Sequence, residues 1–166
     1  MKTIHEEGKF KGRDGTNLYY QLWRAEKSKA VIVGAHGYAE YSGRYTHVGD
    51  HFANEGLAFY MPDLRGHGLS EGIRGHVDRF DEYLDDLDIF VAMVKEKGKK
   101  LFLFGHSLGG QIVIAYALKY PNKIDGMIVS SPLLKLSLQV PPELEKMVRD
   151  LSNSKPTQSV PNQIDP

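Results

Sequence analysis

The chain has 166 residues, no cysteine and one tryptophan, and its 41% hydrophobic and 25% charged residues give the balance of a soluble globular domain. Twenty-one basic and twenty-one acidic residues cancel to zero net charge, which leaves no sequence-wide electrostatic footprint for nucleic acid or an anionic membrane. The missing cysteines exclude disulfides, cysteine-ligated metals and a cysteine nucleophile, and no apolar run approaches the roughly 18 residues of a transmembrane helix. The first residues also lack an apolar signal core, so the cytosol is the expected location.

In chain order, Lys9 to Gly12 and Leu18 to Ala25 read as strands joined by the turn Arg13-Asp14-Gly15-Thr16, since Asp-Gly between β-rich runs is a hairpin signal. Ala30 to Val33 is apolar without alternation, as in a strand covered on both faces. Ser42 to Glu55 has Tyr45, Val48 and Phe52 at helical spacing and Gly56 as its stop. Leu57 to Met61 returns to strand, and a glycine-rich loop runs from Asp63 to Gly75. Arg79 to Lys97 carries the apolar stripe of an amphipathic helix ended by Gly98, which leaves Asp85, Asp86 and Asp88 on a wet face. Leu101 to Phe104 predicts a buried strand, Leu108 to Tyr120 a helix closed by Pro121, and Met127 to Val129 another buried strand. The alternation predicts an α/β domain with a mostly parallel sheet and helices on both faces. Beyond it, Leu133 to Val140 is leucine-rich, Glu143 to Leu151 reads as a short amphipathic helix, and Ser152 to Pro166 has the composition of a tail.

The sharpest chemical signal is Gly105-His106-Ser107-Leu108-Gly109, a G-x-S-x-G between a buried strand and a helix. A sharp strand-to-helix turn strains the serine backbone and demands small residues two before and two after it. The hydroxyl of Ser107 then projects at a helix N-terminus, where the N–H of Leu108 is a natural oxyanion donor. A tetrahedral oxyanion needs a second N–H, and the loop His36-Gly37-Tyr38-Ala39 after the first buried strand nominates that of Tyr38. The tyrosine ring is expected to line the pocket, and His36 to hold the loop by hydrogen bonds.

His36-Gly37-Tyr38-Ala39-Glu40-Tyr41-Ser42-Gly43-Arg44-Tyr45, Asp63-Leu64-Arg65-Gly66-His67-Gly68-Leu69-Ser70-Glu71-Gly72, Gly105 to Gly110 and Ser131-Pro132 together resemble the monoacylglycerol lipase and lysophospholipase branch of the α/β-hydrolases. Ala39 and Tyr41 depart from the family's usual glycine and histidine in the first block. The resemblance implies Ser107 as nucleophile, the Tyr38 and Leu108 N–H groups as oxyanion hole, no cofactor or metal, and a lipid ester substrate. It also implies that residues 1–132 form the N-terminal part of the hydrolase core and that 133–166 begin a helical cap, one able to touch lipid surfaces.

In this fold the triad runs serine, acid, histidine along the chain, yet all seven histidines, His5, His36, His47, His51, His67, His76 and His106, precede Ser107. A serine hydroxyl without a base is a poor nucleophile. Three readings follow: the chain is one piece of a longer enzyme whose C-terminal remainder supplies the acid and histidine; it is a non-catalytic or lipid-binding scaffold; or His36 or His67 substitutes as base. An apolar edge at Met127 to Val129 calls for pairing with later strands or a second copy. His47 and His51 stand four apart but lack the glutamate of H-E-x-x-H, so a solvated helix face is expected rather than zinc. Lys95 to Lys100 reads as a solvated helix terminus.

Overall fold

A computed structural model describes residues 2–135 and 140–158. The chain divides into two compact units, residues 1–134 and 135–166. In the first, β1 (Thr3–Lys11), β2 (Asn17–Ala25), β3 (Ala30–Ala35), β4 (Ala58–Pro62), β5 (Lys100–His106) and β6 (Gly126–Ser130) form one six-stranded sheet in the order β1-β2-β4-β3-β5-β6. β1 pairs antiparallel with β2 and β2 antiparallel with β4. β4, β3, β5 and β6 run parallel.

The helices are α1 (Thr46–Asn54), α2 (Asp81–Val94) and α3 (Leu108–Lys119), with a 3-10 turn at Ser42–Tyr45 ahead of α1. Alternate residues of the central strands feed two cores. Val31, Val33, Leu101 and Leu103 meet Leu87, Phe90, Ile112, Val113 and Tyr116 of α2 and α3 on one face. Trp23, Ile32, Phe59 and Met61 meet Tyr45, Ala53 and Phe52 on the other. Both sides of β3 are therefore buried, which is why its sequence shows no polar alternation. Each large side chain fully buried in this way contributes roughly 1.5–3 kcal/mol.

Four expectations are corrected. β1 begins at Thr3 instead of Lys9, because the ladder from Thr3↔Ala25 to Lys11↔Asn17 holds a run whose polar side chains stay largely exposed and whose only buried residue is Phe10. The helix expected over 42–55 opens as the 3-10 turn. The strand at Met127 to Val129 forms but is not buried: Met127 and Ile128 remain 46% and 45% exposed at the sheet edge. The three aspartates of α2 are not a wet face. Asp86 is buried and bidentate with Arg65, at 2.7 and 2.9 Å, and Asp88 accepts the Tyr116 hydroxyl at 2.8 Å.

In the second unit α4 (Pro142–Ser154) leaves Leu144, Met147 and Val148 exposed, and none of its residues is buried. Leu136 and Leu138 of the leucine-rich run, and the tail from 159 on, lie outside the described residues. Among the described residues no helix is long and apolar enough to cross a membrane.

Candidate active site

Three described non-glycine residues have positive φ: Ala39 at 58°, Ser107 at 52° and Ser131 at 43°. All three follow the carboxyl ends of parallel strands, β3, β5 and β6. Backbone strain of about 1–3 kcal/mol per residue persists only where the surroundings impose it, and the crevice beyond the carboxyl strand ends is where α/β sheets bind ligands. The edge that the G-x-S-x-G pattern singles out is thus also where the described backbone is strained.

Ser107 sits between β5 and α3 with φ 52° and ψ −115°. Its N–H donates to the Ser130 carbonyl at 3.0 Å, and its own carbonyl accepts the N–H groups of Leu133 at 3.0 Å and Gln111 at 3.2 Å. Those bonds tie the turn to the neighbouring strand end. Small residues make the turn possible. A Cβ on Gly109 would fall inside the van der Waals surface of the Ala35 carbonyl, and one on Gly105 would strike the Gly109 carbonyl. Leu108 is the first residue of α3, so its N–H lacks an intrahelical acceptor and is available to an incoming oxygen.

Gly37 lies against the same serine, since a Cβ built on it would stand 3.3 Å from the Ser107 Cβ. Tyr38, the next residue, is 60% exposed, and its ring packs edge-on to His67 at 5.6 Å between centroids. An open cleft beside it is lined by Tyr38, Glu40, Tyr41, His67 and Arg74.

His36 is fully buried, and both ring nitrogens are engaged. Nε2 accepts the Leu64 N–H at 2.9 Å, which leaves Nδ1 to carry the proton and donate it to the Gly37 carbonyl at 2.7 Å. It therefore braces the loop and has no free nitrogen for Ser107. Burial pushes its pKa down to about 4, with the bond to the Gly37 carbonyl opposing and nearby His67 adding to the depression. The unfolded chain takes up this proton near pH 6.5, the folded chain only near 4. Stability from neutral His36 is complete above about 6.5 and declines as pH falls towards 4. A urea-unfolding series over that range is expected to show the decline, and His36→Gln is expected to flatten it; an equal slope in the variant would contradict this role.

His67 is also buried. Its Nδ1 faces the Arg65 carbonyl at 3.0 Å, and its Nε2 has no hydrogen-bond partner among the described residues. No described histidine hydrogen-bonds the Ser107 hydroxyl, and His106 turns its Nδ1 to the Ser130 hydroxyl at 3.1 Å. His47 and His51 are exposed on α1, and the described residues contain no group of metal-ligating side chains.

Asp63 and Arg65, in the glycine-rich loop that also carries the second block of the resemblance, are structural anchors. Asp63 is buried and accepts the N–H groups of Ser42 and Leu69, joining the two loops beyond β3 and β4. Arg65 joins Asp86 and Glu82 of α2 and Asp14 of the β1–β2 turn. Glu40 stands in the first block of that resemblance and Tyr45 at a helical spacing, but neither pattern shows the hydrogen bond that joins them. Hydrogen bonds between a loop side chain and its own backbone leave no periodic trace in a sequence.

A family model described as serine aminopeptidase, S33 (Hydrolase_4) matches residues 26–166. The chain belongs to this family. Its relatives place it in the monoacylglycerol lipase and lysophospholipase branch of the α/β-hydrolase superfamily. It is 34% identical to a monoacylglycerol lipase of Mycolicibacterium smegmatis, over 98% of this chain and 59% of that protein. It is 35% identical to phospholipase YtpA of Bacillus subtilis, over 83% of this chain and 54% of that protein. The crystal structure of a Paleococcus ferrophilus monoacylglycerol lipase superposes with a TM-score of 0.74 at 32% identity, over 99% of this chain and 56% of that one. The chain thus spans a little over half the length of these relatives. As a member of this family it has the α/β-hydrolase fold that its motifs led us to expect, with the G-x-S-x-G at the turn from β5 into α3.

Proposed function

We propose that this protein is a serine ester hydrolase acting on monoacylglycerol or lysophospholipid-like esters. Ser107 attacks the ester carbonyl, the N–H groups of Tyr38 and Leu108 receive the developing oxyanion, the alcohol leaves, and water hydrolyses the acyl-enzyme. No cofactor enters these steps. What carries the proposal is the strained Ser107 at a helix N-terminus, with Gly37 of the Tyr38 loop packed against its Cβ. The lipase and phospholipase names of the relatives support a lipid ester as substrate.

The acid and histidine of the triad are assigned to a C-terminal segment beyond this chain, because His36 is fully engaged and no other described histidine bonds the serine. Strands of that segment, or a second copy, would pair with the half-exposed β6. Residues 133–166 are assigned to a cap, with the exposed Leu144, Met147 and Val148 of α4 as its apolar stripe and a means of weak contact with lipid surfaces. The cytoplasm is the proposed location.

Rates on a monoacylglycerol, a lysophospholipid, a short nitrophenyl ester and an aminoacyl arylamide, each with Ser107→Ala as control, test the substrate class. Esters are expected to exceed the arylamide in kcat/KM by roughly tenfold or more, all of it dependent on Ser107. An arylamide hydrolysed faster than every ester would overturn the proposal in favour of a peptidase.

A further inference from the structure

The loop that carries Tyr38 has little packing of its own. Tyr38 and Tyr41 are 60% and 50% exposed, and Ala39 between them holds a positive φ. Yet an oxyanion donor is useful only if its direction is fixed before the reaction begins. Glu40 is the residue that meets this need.

Its Oε2 accepts the Gly37 N–H at 2.8 Å and the Tyr45 hydroxyl at 2.6 Å. Its own backbone N–H donates to the Gly37 carbonyl at 3.3 Å, the same carbonyl that receives Nδ1–H of His36. Glu40 therefore grips Gly37 at both ends. In a trans peptide the carbonyl and the following N–H point in opposite directions, and the described chain contains no cis bond. Holding the Gly37 carbonyl on the His36 side consequently turns the Tyr38 N–H the other way. Tyr45 connects this grip to the core: it is buried, and its ring packs edge-on against Phe104 of β5, 5.9 Å between centroids, on the strand that ends at Ser107. Burial pushes the Glu40 carboxyl up, but the bonds from Tyr45 and Gly37 outweigh it, and the net shift is downward, so the ionised acceptor is the stable form at neutral pH.

We infer that Glu40 is a positioning residue for the oxyanion hole, clamping the Gly37–Tyr38 peptide so that the Tyr38 N–H faces the reacting oxygen. The inference rests on the assignment of Ser107 and the Tyr38 N–H proposed above. A carboxylate beside a cleft could instead contact the alcohol part of the substrate, and the two roles respond differently to a fluorophosphonate probe. The probe places a phosphoryl oxygen in the hole but carries no glycerol or headgroup.

In the complete protein, Glu40→Ala is expected to slow both kcat for ester hydrolysis and the rate of probe labelling at Ser107 by roughly 10- to 100-fold, with KM within about threefold. Glu40→Gln, whose amide oxygen can still accept the Gly37 N–H, is expected to recover most of both rates. Should Glu40→Ala fail to fold, Glu40→Asp, one methylene short of Gly37, takes its place with the same expected loss. Labelling at the wild-type rate in Glu40→Ala, or in Glu40→Asp where that variant takes its place, would overturn the positioning role, whatever happens to hydrolysis of the natural ester. A wild-type protein that the probe leaves unlabelled at Ser107 would instead overturn the assignment of the nucleophile on which the inference rests.

Discussion

Replacing Ser107 by alanine in the complete protein is expected to lower kcat for ester hydrolysis by about 10⁵- to 10⁶-fold, with KM changed little. The magnitude follows from how the parts of such a site cooperate. An acyl-enzyme mechanism without its nucleophile keeps only the contribution of the oxyanion donors and substrate binding, roughly 10³- to 10⁴-fold over water. The Tyr38 and Leu108 N–H groups are backbone groups and stay in place when the side chain is removed. The hydrogen bonds from Ser107 to Ser130, Leu133 and Gln111 are likewise made by its backbone, so the variant is expected to fold and to melt within a few degrees of the parent. Steady-state kinetics on a short ester, which needs no particular acyl pocket, give the cleanest reading. A variant within tenfold of the parent would place the nucleophile elsewhere.

The largest expected effect on stability comes from Asp86→Ala. The side chains of Arg65 and Asp86 are 10% and 9% exposed, and the guanidinium meets the carboxylate through two hydrogen bonds. Removing the acid strands a buried cation, a loss of about 3–5 kcal/mol in comparable pairs. Glu82 at 2.8 Å and the half-exposed Asp14 at 3.1 Å still face the guanidinium, so the low end, about 3 kcal/mol, is expected here. For a chain of this size that is a fall in melting temperature of roughly 6–12 °C. The double replacement Arg65→Met with Asp86→Leu is expected to recover much of the loss, because neither charge is then left without its partner. If the double variant is no more stable than Asp86→Ala, the loss arises from packing and not from the stranded charge. The pair matters beyond stability because Arg65 fastens the loop after β4 to α2, and Asp63 in that loop holds the Ser42 N–H at the far end of the Tyr38 loop.

The parts of this fold that could be read from the sequence are those in which local chemistry and burial agree. β3 and β5 lie between two apolar layers, so their runs are continuous and unmistakable. The Ser107 turn is legible because close approach of β5 and α3 leaves room only for Gly105 and Gly109, and the spacing of those glycines is the motif itself. Only the end of β1 is legible in the sequence, because His5, Glu6 and Glu7 give no alternation and the pairing that defines the strand comes from β2. Asp86 reads as a polar-face residue in the sequence because its partner Arg65 is 21 residues away. Helical periodicity puts an aspartate between Leu84 and Leu87 on the polar side whether or not an arginine later covers it. The roles of Glu40 and Tyr45 were hidden for a related reason. They act through the backbone of Gly37, in contacts that depend on the path of the loop.

Intact mass spectrometry of the complete protein, with the C-terminal segment assigned the acid and histidine, before and after a fluorophosphonate probe and with Ser107→Ala alongside, tests the central claim most directly. One adduct on the parent, mapped to Ser107 and absent from the variant, is the predicted result, and it requires a hydroxyl activated by a base and an oxyanion hole. A parent that gains no mass, or a variant that gains the same adduct, would contradict it.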